Sequence, residues 1–104
     1  MVFNIFSSAL EVDRIQVNMA FYCYMVECQD GSFYTGWSVD PERREKQHNL
    51  GRGAKYTRLH RPVKLVYIEE VPDHSSALKR ERKIKQMNHE QKKKMALEYQ
   101  LAKD

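Results

Sequence analysis

The chain has 104 residues, of which 41% are hydrophobic and 31% charged, so it has room for one compact core and not for several. Lys and Arg outnumber Asp and Glu by 18 to 14, and the net charge of +4 permits a polyanionic partner without requiring one. No apolar run is long enough to cross a bilayer, and polar residues interrupt the N-terminal segment, so we expect neither membrane insertion nor secretion.

The two cysteines, Cys23 and Cys28, are too few and too poorly spaced for a disulfide framework or a four-ligand zinc site. We therefore expect both to be reduced and largely buried, and the protein to be cytoplasmic. The patterned sequence begins only at Met19. We interpret residues 1–18 as a disordered N-terminal extension and residues 19–104 as the domain.

Two runs rich in aromatic and branched residues, 21–28 and 33–39, are separated by a turn signal and predict a β-hairpin. The register of the hairpin decides where its tyrosines point. A two-residue Asp-Gly turn would place Tyr24 and Tyr34 on opposite faces, whereas a three-residue loop with Gly31 left-handed places them on the same face. We predict the three-residue loop.

The segment after the hairpin carries the signals of a helix start. Asp40 can accept hydrogen bonds from free backbone amides, Pro41 fits the first helical position, and Glu42 opposes the positive end of the helix dipole. We predict a helix that runs to about Asn49, followed by a glycine-bearing basic loop.

The second half of the chain predicts one strand and two helices. The strand covers residues 63–71, and the next helix starts with Asp73 or Ser75 as its N-cap and runs to about residue 87. Asn88 and the glutamine three residues later resemble a capping box for a third helix that ends near residue 102. The predicted order is β-β-α-β-α-α.

Glu81 is the most informative residue for chemistry. It lies four positions after Ala77 and three before Ile84, so it shares the inward face of the second predicted long helix. A carboxylate on an apolar face must be ion-paired, hydrogen-bonded or bound to a cation. An ion pair with a neighbouring base is one interpretation, and a hard divalent ion such as Mg²⁺ is the other.

Other candidates lie on the first helix and the hairpin. Arg44 and His48 are four positions apart and therefore lie on one side of the helix. The arginine fork matches phosphate oxygens, and the histidine titrates near neutrality, although a solvated face would carry the same residues. Tyr24 and Tyr34 are either ordinary strand aromatics or phenols that position or deprotonate a water molecule.

Basic residues are concentrated between positions 43 and 64, where eight Lys and Arg residues face a single acid and give a local charge of +7. Such a segment offers phosphate contacts, and its aromatic residues offer stacking surfaces. A solvated loop that only keeps the protein soluble is the alternative. The candidate residues for nucleic-acid binding are Arg43, Lys46, Arg52, Lys55, Tyr56 and Arg58.

Taken together and in this order, these residues resemble the GIY-YIG nuclease superfamily, and in particular its small single-domain YhbQ-like, Slx1-like and UPF0213-type members. The first motif is present as Tyr22-Cys23-Tyr24 and the second as Tyr34-Thr35-Gly36. Arg44, His48 and Glu81 follow at the later positions. The chain departs from the pattern where Tyr22 replaces a glycine, where Thr35 is the middle residue, and at Trp37, where some relatives carry a base.

The resemblance implies an α+β fold, in which a small three-stranded antiparallel sheet is flanked by helices. It implies that Glu81 holds one divalent metal ion, Mg²⁺ or Mn²⁺, and that Arg44 steadies the scissile phosphate. It also implies that Tyr24, Tyr34 and His48 orient or deprotonate the attacking water, and which of them is the base stays open.

The expected function is that of a metal-dependent DNA endonuclease acting on branched or flapped structures in repair or recombination. RNA is not excluded as a substrate, and we expect a monomer or weak dimer. One alternative is a binding module with the same fold that does not cut. Another is a protein-interaction domain that docks a partner through Met95, Tyr99 and Ala102, although a helix with this spacing more often buries those residues.

Overall fold

The computed structural model describes residues 20–103. The predicted disordered extension over residues 1–18 lies outside this range. In chain order, the described elements are β1 (Phe21–Cys28), β2 (Phe33–Ser38), α1 (Pro41–Asn49), α2 (Lys55–Leu59), β3 (Val63–Val71), α3 (His74–Lys85) and α4 (His89–Lys103).

The three strands form one antiparallel sheet in the order β2-β1-β3. The α+β class and the order of strands and long helices are as predicted. One element was not expected, because the segment interpreted as a basic loop contains the five-residue helix α2.

The hairpin has the predicted register. The backbone N–H of Cys28 donates to the carbonyl of Ser32 at 2.8 Å, so three residues form the loop, and Gly31 has a φ of 87°. That left-handed conformation favours glycine, which has no Cβ to clash with the following carbonyl. Tyr24 consequently pairs with Gly36 across the strands, and Tyr34 lies on the same face of the sheet.

Helices cover both faces of the sheet. On one face, Cys23 and Met25 pack against Ala77 and Ile84 of α3, and all four are fully buried. The Cys23 thiol donates to the carbonyl of Ala77 at 3.2 Å, and burial, followed by the charges of Glu69 and Glu81, raises the pKa of this thiol to about 11. Both cysteines are free and buried, as predicted.

On the other face, α1 is attached to the free edge of β3. The Asn49 side chain exchanges two hydrogen bonds with the backbone of Val63, at 2.9 and 2.7 Å. One turn earlier, the backbone N–H of Leu65 donates to the carboxylate of Glu45 at 2.7 Å. These bonds satisfy backbone groups that an edge strand would otherwise expose. They also fix how α1 is rotated, and so where its other residues point.

Three helix starts follow the predicted caps. Asp40 accepts from the backbone N–H of Arg43 at 3.2 Å. Asp73, rather than Ser75, caps α3 by accepting from Ser76 at 2.7 Å. Asn88 and Gln91 exchange two bonds of 2.9 Å, which confirms the capping box before α4.

Two of the three residues considered for docking a partner contribute to packing within the chain. Met95 packs against the core on the α3 side of the sheet, and the ring of Tyr99 lies 5.5 Å from that of Tyr67. Ala102 is exposed. None of the helices in the described range has the length and apolar character needed to cross a membrane.

Candidate active site

A chain of buried hydrogen bonds links three elements beneath the shared tyrosine face. The hydroxyl of Tyr24 on β1 lies 2.8 Å from Nε2 of His48 on α1. Nδ1 of the same imidazole lies 2.8 Å from the hydroxyl of Thr57 on α2, which donates to the carbonyl of Ala54 at 2.8 Å. Tyr24 is 1% exposed, and His48 and Thr57 are fully buried. The imidazole of His48 therefore has no direct contact with solvent.

Two glycines allow this close packing. A Cβ at Gly36 would lie 2.7 Å from the Tyr24 hydroxyl oxygen, and a Cβ at Gly53 would lie 2.0 Å from Nδ1 of His48. Both distances are shorter than a real Cβ contact allows. Gly36 thus makes room for the phenol, and Gly53 lets the loop before α2 close over the imidazole.

Burial sets the protonation states of the pair. It lowers the pKa of His48 to about 4, with a smaller contribution from the positive charge of Arg44. It raises the pKa of Tyr24 to about 12, together with the effect of Tyr34, while a hydrogen bond from Arg44 acts in the opposite direction. At neutral pH the imidazole is uncharged and the phenol carries its proton.

Tyr34 and Arg44 lie nearer the surface, and both are half-buried. The Tyr34 ring meets the imidazole of His48 edge-on at 5.4 Å and stacks against Tyr56 at 6.4 Å. Arg44 donates to the side chain of Gln47 at 3.0 Å, and its guanidinium is close enough to the Tyr24 hydroxyl to affect the pKa of that group. The structure therefore brings Tyr24, Tyr34, Arg44 and His48 together.

Glu81 comes from the opposite helical layer. Its carboxylate lies 3.1 Å from the ammonium group of Lys85, the base four positions later, and its side chain is 17% exposed against 51% for the lysine. This is the ion pair that one interpretation expected. The charge of Glu81 is nevertheless close enough to help raise the pKa of Tyr24, after burial, Tyr34 and the opposing Arg44 contributions.

Within residues 20–103, no group of three or more His, Cys, Asp or Glu side chains could hold a metal ion. A hard divalent ion such as Mg²⁺ needs fewer protein ligands, because water and substrate phosphate complete its coordination shell. The carboxylate of Glu81 already holds a cationic group at 3.1 Å. Since an exposed lysine can move away, Glu81 fits a site of this one-carboxylate kind.

The candidate nucleic-acid contacts form an exposed basic surface on α1, α2 and the loop between them. Their side chains are all exposed, and none of the bases forms an ion pair within residues 20–103. Tyr56 stacks on His60 at 4.1 Å and donates its hydroxyl proton to Ser32 at 2.7 Å. The set comprises Arg43, Lys46, Arg52, Lys55, Tyr56 and Arg58.

The GIY-YIG catalytic domain matches residues 20–95, which is more than half of the chain. The chain belongs to the GIY-YIG family. This GIY-YIG protein is thus a member of a nuclease superfamily, and the membership implies a nucleic-acid substrate. The membership of the GIY-YIG superfamily that the tyrosine motifs predicted is confirmed.

Small proteins of the same family are similar over most of their length. A UPF0213 protein of Staphylococcus saprophyticus is 51% identical over 77 residues, which cover 74% of this chain and 94% of the relative. A UPF0213 protein of Haloquadratum walsbyi is also 51% identical over 77 residues, covering 74% and 86%. The NMR structure of an E. faecalis protein is 42% identical, with a TM-score of 0.52 over 79% of this chain and 88% of that one.

Thr57 and Gly53 are parts of the site that the sequence interpretation missed. Both lie in the segment interpreted as a solvated or phosphate-binding loop. Helix α2 is too short to show a periodic apolar face, so the burial of its one threonine cannot be predicted from the pattern of apolar residues in the sequence. The only available signal was the pair of glycines, Gly51 and Gly53, which indicates close backbone approach without saying what is approached.

Proposed function

We propose that this GIY-YIG protein is a metal-dependent endonuclease that hydrolyses phosphodiester bonds in DNA. The observation that carries the proposal is the meeting of Tyr24, Tyr34, Arg44 and His48, around a phenol–imidazole hydrogen bond of 2.8 Å. Family membership supports a nuclease, and the basic surface beside these residues supports a polyanionic substrate.

Arg44 is proposed to bind the scissile phosphate. Its guanidinium presents parallel N–H donors that match two phosphate oxygens, and its positive charge attracts the phosphate. Tyr34 is proposed to orient the attacking water, because its half-buried ring lies between His48 and the basic surface that carries Tyr56.

Tyr24 and His48 are proposed to remove the proton from the attacking water. As the water oxygen bonds to phosphorus, its proton passes to the Tyr24 oxygen, and the phenol proton passes to Nε2 of His48. The P–O bond to the leaving oxygen then breaks, that oxygen takes a proton from solvent, and His48 returns its extra proton to solvent by way of Tyr24. A bound phosphate beside Arg44 offsets the positive charge that contributes to the low pKa of His48, so substrate binding makes the imidazole a better acceptor.

Glu81 is proposed to hold one divalent ion, Mg²⁺ or Mn²⁺. Such an ion supplies stabilisation of the negative charge that grows on the phosphoryl and leaving oxygens. The role of Glu81 itself is to offer a partly shielded carboxylate whose present partner, Lys85, is replaceable because it is half exposed.

The basic surface is proposed to bind the DNA backbone without reading its sequence. Each phosphate that it neutralises contributes about −0.9 to the slope of log affinity against log salt on duplex DNA. Contacts to phosphates position a protein on DNA and carry no direct sequence information. We therefore propose selectivity for branched or flapped DNA over particular sequences.

The proposal is tested by nicking of plasmid, flap and junction DNA in Mg²⁺ or Mn²⁺ by the wild type, Glu81→Gln and Lys85→Met. The glutamine variant should lose about 100-fold or more in rate, because it removes the charge that holds the ion. Lys85→Met removes the ion pair and keeps the carboxylate, so it should remain active.

Equal losses in both variants would mean that the ion pair itself is what matters, and would remove the metal-binding role of Glu81. Salt-sensitive DNA binding by a wild type that gives no product in any metal would instead establish the non-cutting binding module. Nicking that persists unchanged in Glu81→Gln would indicate a contaminating nuclease.

A further inference from the structure

We propose that Thr57 is a positioning residue that holds His48 in one tautomer, with the hydrogen on Nδ1 and the lone pair of Nε2 directed at Tyr24. The geometric part of this inference stands on the hydrogen-bond distances alone. Its consequence for cleavage rests on the proposed function.

The hydroxyl of Thr57 has one hydrogen and two close neighbours. It lies 2.8 Å from the Ala54 carbonyl oxygen and 2.8 Å from Nδ1 of His48. A carbonyl oxygen only accepts, so that contact requires the hydroxyl hydrogen. In the contact between the Thr57 hydroxyl and the imidazole, the hydrogen must therefore be carried by Nδ1 of His48, which donates to the hydroxyl oxygen.

The opposite arrangement leaves one contact without a hydrogen. If the hydroxyl of Thr57 donated to Nδ1 of His48, two oxygen lone pairs would face each other across 2.8 Å at Ala54. Such an opposition is unfavourable in the interior of a protein, because burial excludes the solvent that would relieve it. One arrangement alone gives every short contact a hydrogen.

The direction of the whole chain follows from that assignment. A neutral imidazole with its hydrogen on Nδ1 has a free lone pair on Nε2, so the Tyr24 hydroxyl must donate across the 2.8 Å contact. Arg44 has only donors, so its hydrogen bond with the Tyr24 hydroxyl runs from the guanidinium to the phenol oxygen. Each donor therefore points the same way, from Arg44 through Tyr24 and His48 to Thr57.

The local fold holds Thr57 at the required place. The five residues of α2 start after Ala54, whose carbonyl accepts from the backbone N–H of Arg58 at 3.0 Å and from the Thr57 hydroxyl at 2.8 Å. Gly53 allows the same segment to lie against the imidazole. The fully buried Thr57 is thus fixed on both sides, and the short helix fastens His48 in place.

The tautomer is measured directly by the ¹⁵N chemical shifts of the His48 ring at neutral pH, in the wild type, Thr57→Ser and Thr57→Val. The wild type and the serine variant should show the hydrogen on Nδ1. The valine variant, which has the same shape and no hydroxyl, should shift the population towards the hydrogen on Nε2. A wild type with its hydrogen on Nε2, or a valine variant with unchanged shifts, would overturn the inference.

Cleavage kinetics test the consequence. Thr57→Val should lower kcat by about tenfold or more and leave KM for DNA unchanged, because a wrong tautomer blocks proton transfer without touching the phosphate. Thr57→Ser should keep kcat within about threefold of the wild type, since it retains the donor and acceptor. Equal losses in both variants would overturn the positioning role.

The role of Thr57 in setting the tautomer of His48 and the proposed DNA cleavage can be tested separately. A wild type that shows the expected tautomer and no cleavage would remove the proposed function and leave the role of Thr57 in orienting His48 intact. Should Thr57→Val not fold, the wild-type and Thr57→Ser shifts still decide the tautomer.

Discussion

The two sides of the sheet hold their polar groups in different ways. On the α1 and α2 side, Tyr24, His48 and Thr57 form a closed chain of hydrogen bonds that is almost fully buried. On the α3 side, Glu81 pairs with a half-exposed Lys85. We infer that folding alone builds the part of the site that is proposed to transfer the proton, whereas a ligand must complete the part that is proposed to bind a cation.

The energies of the two kinds of contact explain the difference. A buried donor or acceptor that loses its partner costs about 1–3 kcal/mol, so the members of the interior chain hold one another in place. An exposed ion pair contributes about 0.2–1 kcal/mol and exchanges readily with solvent or ions. The first arrangement favours preorganisation, and the second permits replacement of the lysine by a metal ion.

Among the changes that test this difference between the two sides of the sheet, Tyr24→Phe is expected to have the largest effect. The change removes the hydroxyl that is proposed to pass the proton of the attacking water to His48, so nicking should fall by about 100-fold to 10,000-fold, the usual range for a lost acid–base group. DNA binding should persist, because the basic surface is untouched. Rates of plasmid nicking and filter-binding affinities provide the two measurements.

Tyr22→Phe is the matched control for this change, because it removes a phenol from the same face of the same strand, two residues earlier. It should nick as the wild type does. If Tyr24→Phe also retained full activity, the buried chain would have no part in proton transfer.

The next largest effect concerns stability in mild acid. His48 has a pKa lowered from 6.5 to about 4 in the folded protein, so the unfolded chain takes up a proton in this window and the native state does not. The free energy of unfolding should therefore fall as the pH drops from 6.5 to 4, by about 3 kcal/mol in total.

Urea denaturation across this pH range measures the slope, with His48→Gln as the comparison. The variant should lose most of the dependence on pH above 4. Asp30 and Asp73, whose pKa values are lowered from 3.8, contribute mainly below about pH 5, so the slope between pH 6.5 and that value reports His48. An identical slope in the variant would contradict a buried neutral imidazole.

The smallest effect compares two buried threonines on opposite sides of the sheet. Within residues 20–103, the Thr35 hydroxyl on the α3 side has no hydrogen-bond partner, whereas the Thr57 hydroxyl has two. Thr35→Val should leave stability unchanged or raise it by up to about 1 kcal/mol, and Thr57→Val should lower it by about 1–3 kcal/mol.

Thermal denaturation of both valine variants at pH 7 gives the comparison. Because the two substitutions change the side chain in the same way, the difference between them measures the hydrogen bonds rather than the shape. Equal stabilities would mean that the buried hydrogen bonds of Thr57 on the α1 and α2 side do not stabilise the fold.

The strands, the long helices and their caps could be predicted because their signals are local. Asp40, Asp73 and Asn88 each cap the backbone within three residues, so neighbouring residues alone determine these helix starts. The register of the hairpin was also predictable, since Gly31 permits the left-handed turn that places Tyr24 and Tyr34 together.

Burial within the site could not be predicted in the same way. The spacing predicted His48 on the same side of a helix as Arg44 without deciding whether that side is solvated, and the structure encloses His48 fully beneath the α2 segment. The reason lies in contacts between distant residues. Asn49 and Glu45 attach α1 to β3 and rotate the histidine inward. The spacing of residues within α1 does not predict that attachment.

The sequence by itself determined the strands, the long helices, the family and the candidate catalytic residues, because turn formation, capping and motif spacing depend on neighbours along the chain. Only the tertiary structure decided which side chains hydrogen-bond to one another. The direction of the Tyr24–His48 bond depends on Thr57, nine residues beyond the histidine and on another helix. Such a dependence arises when separate elements pack together, since packing alone excludes the water that would otherwise satisfy each polar group.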